Sequence, residues 1–244
     1  MPEFNGGSMA IVQRAAPERA ALTTGHTADR VRVLLDEGNT RWRTFAPSRP
    51  NQGSDRRRAL WEAETEDPVA TVLGCADSRV PPEMLFDRGL GDLYTVRAFG
   101  QVPDSSVTGS LVHGTRELAT PLLVVLGHSH CAAVREAVTA RRSGRVPEGH
   151  TGFLVEGILD AIEDVPEDVP GDFLDACTRA NTMHVADQLR HEPGLRERVH
   201  SGELRIEPAH YSLKRSRVEW LGDLPENRPG PETGVPQQRA PNSP

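Results

Sequence analysis

No stretch of this chain approaches the roughly 20 consecutive apolar residues that a helix needs to cross a bilayer, which excludes a helical membrane span. Positive charge is not in excess either. Lys and Arg total 28 against 35 Asp and Glu, giving a net charge of −7, so no basic stripe for nucleic acid is expected. The one dense basic run, Arg56-Arg57-Arg58, is followed by Glu62, Glu64, Glu66 and Asp67 and reads as a solvated helix face. Cysteine is scarce: three cannot all pair, which excludes a disulfide framework. Aromatic residues make up only 5%, while 20 Pro and 22 Gly predict long loops or loose ends. Residues 1–8 (MPEFNGGS), directly before Met9, read as an expression-vector leader and stand outside the fold. After Met9 no basic region leads into an apolar run with a small-residue cleavage site, so a cytoplasmic location is expected.

What is present is an alternation of helical patterns and short apolar runs. Residues 9–16 read as a flexible N-terminus, and 17–46 as helix, with Ala20, Leu22, Val31, Leu34, Leu35 and Trp42 at helical spacing. A Pro-bearing break at 47–53 leads to a second helix at about 55–64. Val69–Gly74, Asp92–Val96 and Leu122–Gly127 are strand candidates, with helices predicted at 82–88, 107–118 and 132–142 between and after them. Pro82 falls in the first turn of its helix, where the missing N–H costs nothing. Continuous apolar runs separated by helices predict an α/β fold with a mostly parallel central sheet flanked by helices. Helices at 152–164 and 172–191, then strands at 203–206 and 218–221, complete one domain over 17–222. Residues 223–244 are Pro-rich and nearly devoid of apolar side chains, the composition of a disordered tail.

Two strand ends carry the chemistry. The first reads Gly74-Cys75-Ala76-Asp77-Ser78-Arg79, the second Gly127-His128-Ser129-His130-Cys131. In open parallel sheets the carboxyl ends of strands face the site-bearing crevice, so Cys75 meets His128 and Cys131 if those strands are neighbours. Two thiolates and one imidazole make a Cys2His set, which selects zinc over magnesium or calcium and leaves one tetrahedral position for chemistry. Asp77 is suited to accept a proton from a nucleophile in that position, with Arg79 keeping it ionised. Alternatively Asp77 could itself take the fourth zinc position and close the site. Cys177 reads as core packing and His130 as a bystander. His184, His191, His200 and His210 read as surface or structural side chains.

With these residues in view, the chain resembles the β-class carbonic anhydrases over about 36–222. The likeness rests on the C-x-D-S-R-V run at 75–80 and the G-H-x-x-C run at 127–131. Glu37-Gly38-Asn39, Gly89-Leu90-Gly91-Asp92, Val96-Arg97, Asp104-Ser105, Gly109-Ser110, Gly202-Glu203-Leu204 and Val218-Glu219-Trp220-Leu221 add to it. The resemblance implies Zn2+ held by Cys75, His128 and Cys131, with Asp77 and Arg79 as the catalytic dyad. It implies zinc-hydroxide attack on CO2 to give bicarbonate, reversibly. It also implies a homodimer or higher homo-oligomer whose N-terminal helices extend onto a partner subunit.

The residues around the expected substrate pocket depart from the family pattern. Glu66 stands where many relatives have Gln, Phe99 replaces a small aliphatic, His113 stands at an aromatic position, Tyr94 replaces Phe and Ala132 replaces Gly. These changes leave two alternatives open: a zinc hydrolase or hydratase of the same fold acting on another small electrophile, and a non-catalytic zinc-binding interaction protein.

Overall fold

The computed structural model describes residues 26–63 and 66–222. The leader, the segment 9–16, the first part of the predicted 17–46 helix and the tail from 223 lie outside them. Helix α1 (Ala28–Arg43) starts where the Thr27 hydroxyl accepts the Arg30 amide, a side-chain N-cap that occupies one of the free donors of the first turn. Its buried positions, Val31, Leu35, Gly38 and Asn39, recur at helical spacing and turn one stripe to the core. Helix α2 (Ser54–Ala63) has no buried residue and lies on the surface.

The centre is a five-stranded sheet in the order β2-β1-β3-β4-β5. Strands β1 (Ala70–Cys75), β2 (Leu93–Ala98), β3 (Leu122–His128) and β4 (Arg205–Ser212) run parallel, and β5 (Arg217–Trp220) pairs antiparallel with β4. All residues of β1 and β3 are buried, as apolar runs covered on both sheet faces should be. Helix α3 (Pro82–Leu85) follows β1, and a 3-10 turn at Phe99–Gln101 follows β2. Helix α4 (Ser105–Val112), capped by Asp104, runs into a π-type turn at His113–Glu117. Helices α5 (Ala132–Ser143), α6 (Gly149–Ile162), α7 (Phe173–His191) and α8 (Arg196–His200) complete the layers.

The core divides along the sheet. Val31 and Leu35 of α1, Ala133, Val134 and Ala137 of α5, and Val155, Ile158 and Ile162 of α6 pack with Val72, Val124 and Leu126. Leu111 of α4 and Val185, Ala186 and Leu189 of α7 pack with Leu73, Leu123, Val125 and Ile206. The Asn39 carboxamide fastens α1 across the molecule: it donates to the Leu85 carbonyl at 3.0 Å and accepts the Val218 amide at 2.9 Å. One turn earlier, the Trp220 indole donates to Asp36.

Two expectations change. The late strand expected at 203–206 is β4, which runs to Ser212. Its continuation through Glu207, Pro208 and His210 carries no apolar pattern, yet all three are buried. Pro208 is accommodated because the β4–β5 ladder begins only at Ala209. Helix α8 has no counterpart among the predicted elements. Among the described residues, no helix is long and apolar enough to cross a membrane.

Candidate metal centre

β1 and β3 are hydrogen-bonded neighbours, with Gly74 paired to Leu126, so their carboxyl ends emerge side by side. Cys75 is the last residue of β1 and His128 the last of β3, while Cys131 immediately precedes α5. The ligand atoms of Cys75, His128 and Cys131 all lie within 4.8 Å of one another, and the two sulfurs are 3.9 Å apart. All three side chains are buried.

The donor set fits a soft-to-borderline dication. His128 Nδ1 lies 3.0 Å from the Ser129 carbonyl, which can only accept, so this nitrogen carries the proton of the neutral ring and Nε2 presents its lone pair. Nε2 is buried without a hydrogen-bond partner in the protein. An orphaned imidazole nitrogen facing two buried sulfurs is costly unless something electrophilic joins them. Zinc is the metal that this sulfur and nitrogen combination favours.

The sulfurs are electrostatically unequal. Cys75 is lowered to about 4, chiefly by a hydrogen bond from Cys131, with the amides of Asp77 and Gly100 assisting against the cost of burial. Cys131 is pushed strongly upward by that same bond and by burial. Without a metal, two sulfurs this close share one proton. Cys177, 0% exposed in the core, has its thiol raised chiefly by burial.

Beside the cluster, Asp77 and Arg79 form a two-toothed ion pair. Arg79 Nε donates to Asp77 Oδ1 at 2.9 Å and Nη2 to Oδ2 at 2.6 Å, and the Arg79 amide adds a third bond to Oδ1. The Arg79 hydrogen bonds hold the Asp77 carboxyl down to about 2 against a partial cost of burial. Arg79 Nη2 also reaches the His130 carbonyl at 3.2 Å, which links the two ligand loops. Asp77 Oδ2 stands 4.0 Å from His128 Nε2.

Not all the residues singled out in the sequence converge within one chain. Phe99 directly follows Ala98, the cross-strand partner of Cys75, and Ala132 follows the ligand Cys131, so both border the cluster. Tyr94 pairs with Thr71, four residues before Cys75, which at the usual strand rise is roughly 13 Å away. His113 is exposed, with its ring 5.9 Å from that of Tyr94. Glu66 is exposed ahead of the amino end of β1, opposite the end that bears Cys75.

Two residues given no role from the sequence come forward. Arg97 on β2 donates through Nε to the Cys75 carbonyl at 2.8 Å and through Nη2 to the Asp77 carbonyl at 2.5 Å. His210 on β4, read as surface or structural, is wholly buried with Nε2 3.1 Å from Asp175 Oδ1. Only the position of Arg97 in the segment shared with the family pointed toward the site.

Known proteins confirm the kinship. A family model described as carbonic anhydrase matches residues 70–218. A carbonic anhydrase of Mycolicibacterium smegmatis is 44% identical over 128 residues, covering 52% of this chain and 61% of that protein. Carbonic anhydrase 2 of Mycobacterium tuberculosis is 36% identical over 202 residues, covering 79% of this chain and 93% of its relative. The fold is shared with a β-carbonic anhydrase of Sordaria macrospora (TM-score 0.60, 18% identity, 70% of this chain and 94% of that one). It is likewise shared with that of Coccomyxa (TM-score 0.59, 20% identity, 80% and 87%). With its Cys-His-Cys cluster at adjoining strand ends, the chain belongs to the β-class carbonic anhydrase family.

Proposed function

We propose that this protein is a zinc-dependent enzyme that reversibly hydrates CO2 to bicarbonate and a proton. One observation carries the reading: a buried cluster of two sulfurs and an unpartnered imidazole nitrogen within 4.8 Å, with an ionised carboxylate 4.0 Å from that nitrogen. Cys75, His128 and Cys131 would hold zinc, whose positive charge lowers the pKa of water toward neutrality when bound.

The chain's own residues supply orientation and exclusion of water. Asp77, fixed at both oxygens by Arg79, can only accept hydrogen bonds and holds the O–H of the attacking group, leaving a lone pair directed at the CO2 carbon. Arg79 keeps Asp77 ionised throughout the neutral range, so this acceptor is not lost by protonation. The backbone amide of Ala132, in the first turn of α5, would donate to the oxyanion that forms. Phe99 supplies an apolar wall for a neutral, linear substrate.

A homodimer completes this account. Phe45 is 93% exposed and Trp61 83%, with Val33 and Met84 also largely uncovered around α1, α2 and α3; such apolar surface favours burial against a second copy. Free, unpaired cysteines at the metal centre suit the reducing cytoplasm.

A CO2-hydration assay on protein of verified zinc content tests the reading. Turnover well above buffer supports it, and a background rate with zinc confirmed ends it.

A further inference from the structure

Resting on that reading of the site, we propose that Arg97 is a positioning residue whose guanidinium fork clamps the Cys75–Asp77 turn. It thereby sets both the first metal ligand and the neighbouring carboxylate.

The turn has to place three groups at once: the Cys75 sulfur, the Asp77 carboxylate and the Asp77 amide, which donates to that sulfur. Strand β2 fastens it from outside the metal centre by three bonds. The Ala98 carbonyl accepts the Ala76 amide at 3.0 Å, and Arg97 grips the carbonyls of residues 75 and 77. Both Arg97 bonds have a charged donor, the stronger class of hydrogen bond, and their fixed fork sets a distance between two carbonyls as well as an attraction.

The ladder register explains why Arg97 can do this. Arg97 lies opposite Gly74. A Cβ built at Gly74 would lie 3.9 Å from Arg97 Cγ, an ordinary contact distance, so the arginine stem runs directly alongside β1. Here the stem leads back onto the turn, and an exposed arginine spends two donors on backbone. Val80 N also donates to the Asp77 carbonyl at 3.2 Å, so one weaker neutral tie persists when Arg97 is removed. The turn should therefore loosen without unfolding.

The experiment uses zinc-loaded full-length protein and the variants Arg97→Lys and Arg97→Ala. Lysine keeps the charge but cannot span two carbonyls. Amide exchange at residues 76–79 should quicken in both variants while exchange in α5 and α7 stays as in wild type. Zinc release to a competing chelator should quicken with it. Turnover should fall about 10- to 100-fold with KM within about threefold, the scale expected of a misplaced catalytic group. Added guanidinium should restore part of the rate to Arg97→Ala.

Wild-type exchange at 76–79 together with wild-type zinc release in both variants would overturn the clamp. So would exchange that quickens uniformly over the whole protein, since that marks a general loss of stability. If the wild type itself does not hydrate CO2, the functional reading fails, while exchange and zinc release still decide the role of Arg97.

Discussion

Removing the metal should leave one thiolate, and only one, among the three cysteines. Cys75 sits 3.9 Å from Cys131, whose thiol donates to it, and lies at about 4. Cys131 and Cys177 are both pushed upward, the first by its hydrogen bond to Cys75 and by burial, the second chiefly by burial. An ordinary thiol near 8.5 is roughly 1% ionised at pH 6.5, whereas Cys75, held well below that range by the Cys131 thiol, is ionised there. Ultraviolet thiolate absorbance of the chelator-stripped protein at pH 6.5 should therefore correspond to one sulfur per chain, with its midpoint in acid. Cys131→Ala removes the principal donor and leaves burial opposed only by weaker hydrogen bonds. The midpoint should climb by about two pH units or more. Absence of thiolate signal at pH 6.5, or an unmoved midpoint in Cys131→Ala, would refute the shared-proton pair.

Three further outcomes follow from the geometry. Asp77→Asn keeps the shape but loses the charge and sets an amide donor against Arg79; zinc should stay bound while turnover drops by on the order of 100-fold or more, checked by metal analysis beside CO2 hydration. Gly38→Ala places a Cβ 1.8 Å from the Phe86 carbonyl oxygen, a clash with backbone that cannot rotate away. Alanine usually stabilises a helix interior relative to glycine, but here the denaturant midpoint should fall, by roughly 1–3 kcal/mol of stability. His210, held neutral by burial at about 4, binds its proton more weakly folded than unfolded. Stability should therefore be lost as pH falls from about 6.5 toward 4, and the slope should flatten in His210→Asn; parallel pH profiles would remove His210 as the cause.

The metal cluster was legible because its chemistry is written locally. C-x-D-S-R and G-H-x-x-C each follow an uninterrupted apolar strand, and parallel neighbours bring such ends together. β1 and β3 were found for the same reason, since burial on both faces leaves no room for polar residues. β4 was cut short in the sequence reading because its second half buries Glu207, Pro208 and His210. Glu207 is held by ion pairs to Arg32 and Arg205, and His210 lies beside Asp175. Burial there depends on partners distant in the chain, which no pattern of apolar spacing reveals. Arg97 was hidden likewise: an exposed arginine looks the same in sequence whether it meets water or two carbonyls. Tyr94 and His113 were singled out by likeness to the family, and their separation from Cys75 in one chain reflects a strand's length, which spacing between motifs does not convey.

Most depends on whether residues from the ends of two neighbouring strands grip one divalent ion. X-ray absorption at the zinc edge, with metal content measured on the same sample, tests it most directly. One zinc per chain is expected, with two sulfurs at about 2.3 Å and one imidazole nitrogen at about 2.0–2.1 Å, and that signal should be lost in Cys75→Ser and in Cys131→Ser. Protein that stays zinc-free after reconstitution, or a zinc shell with fewer than two sulfurs, would contradict it.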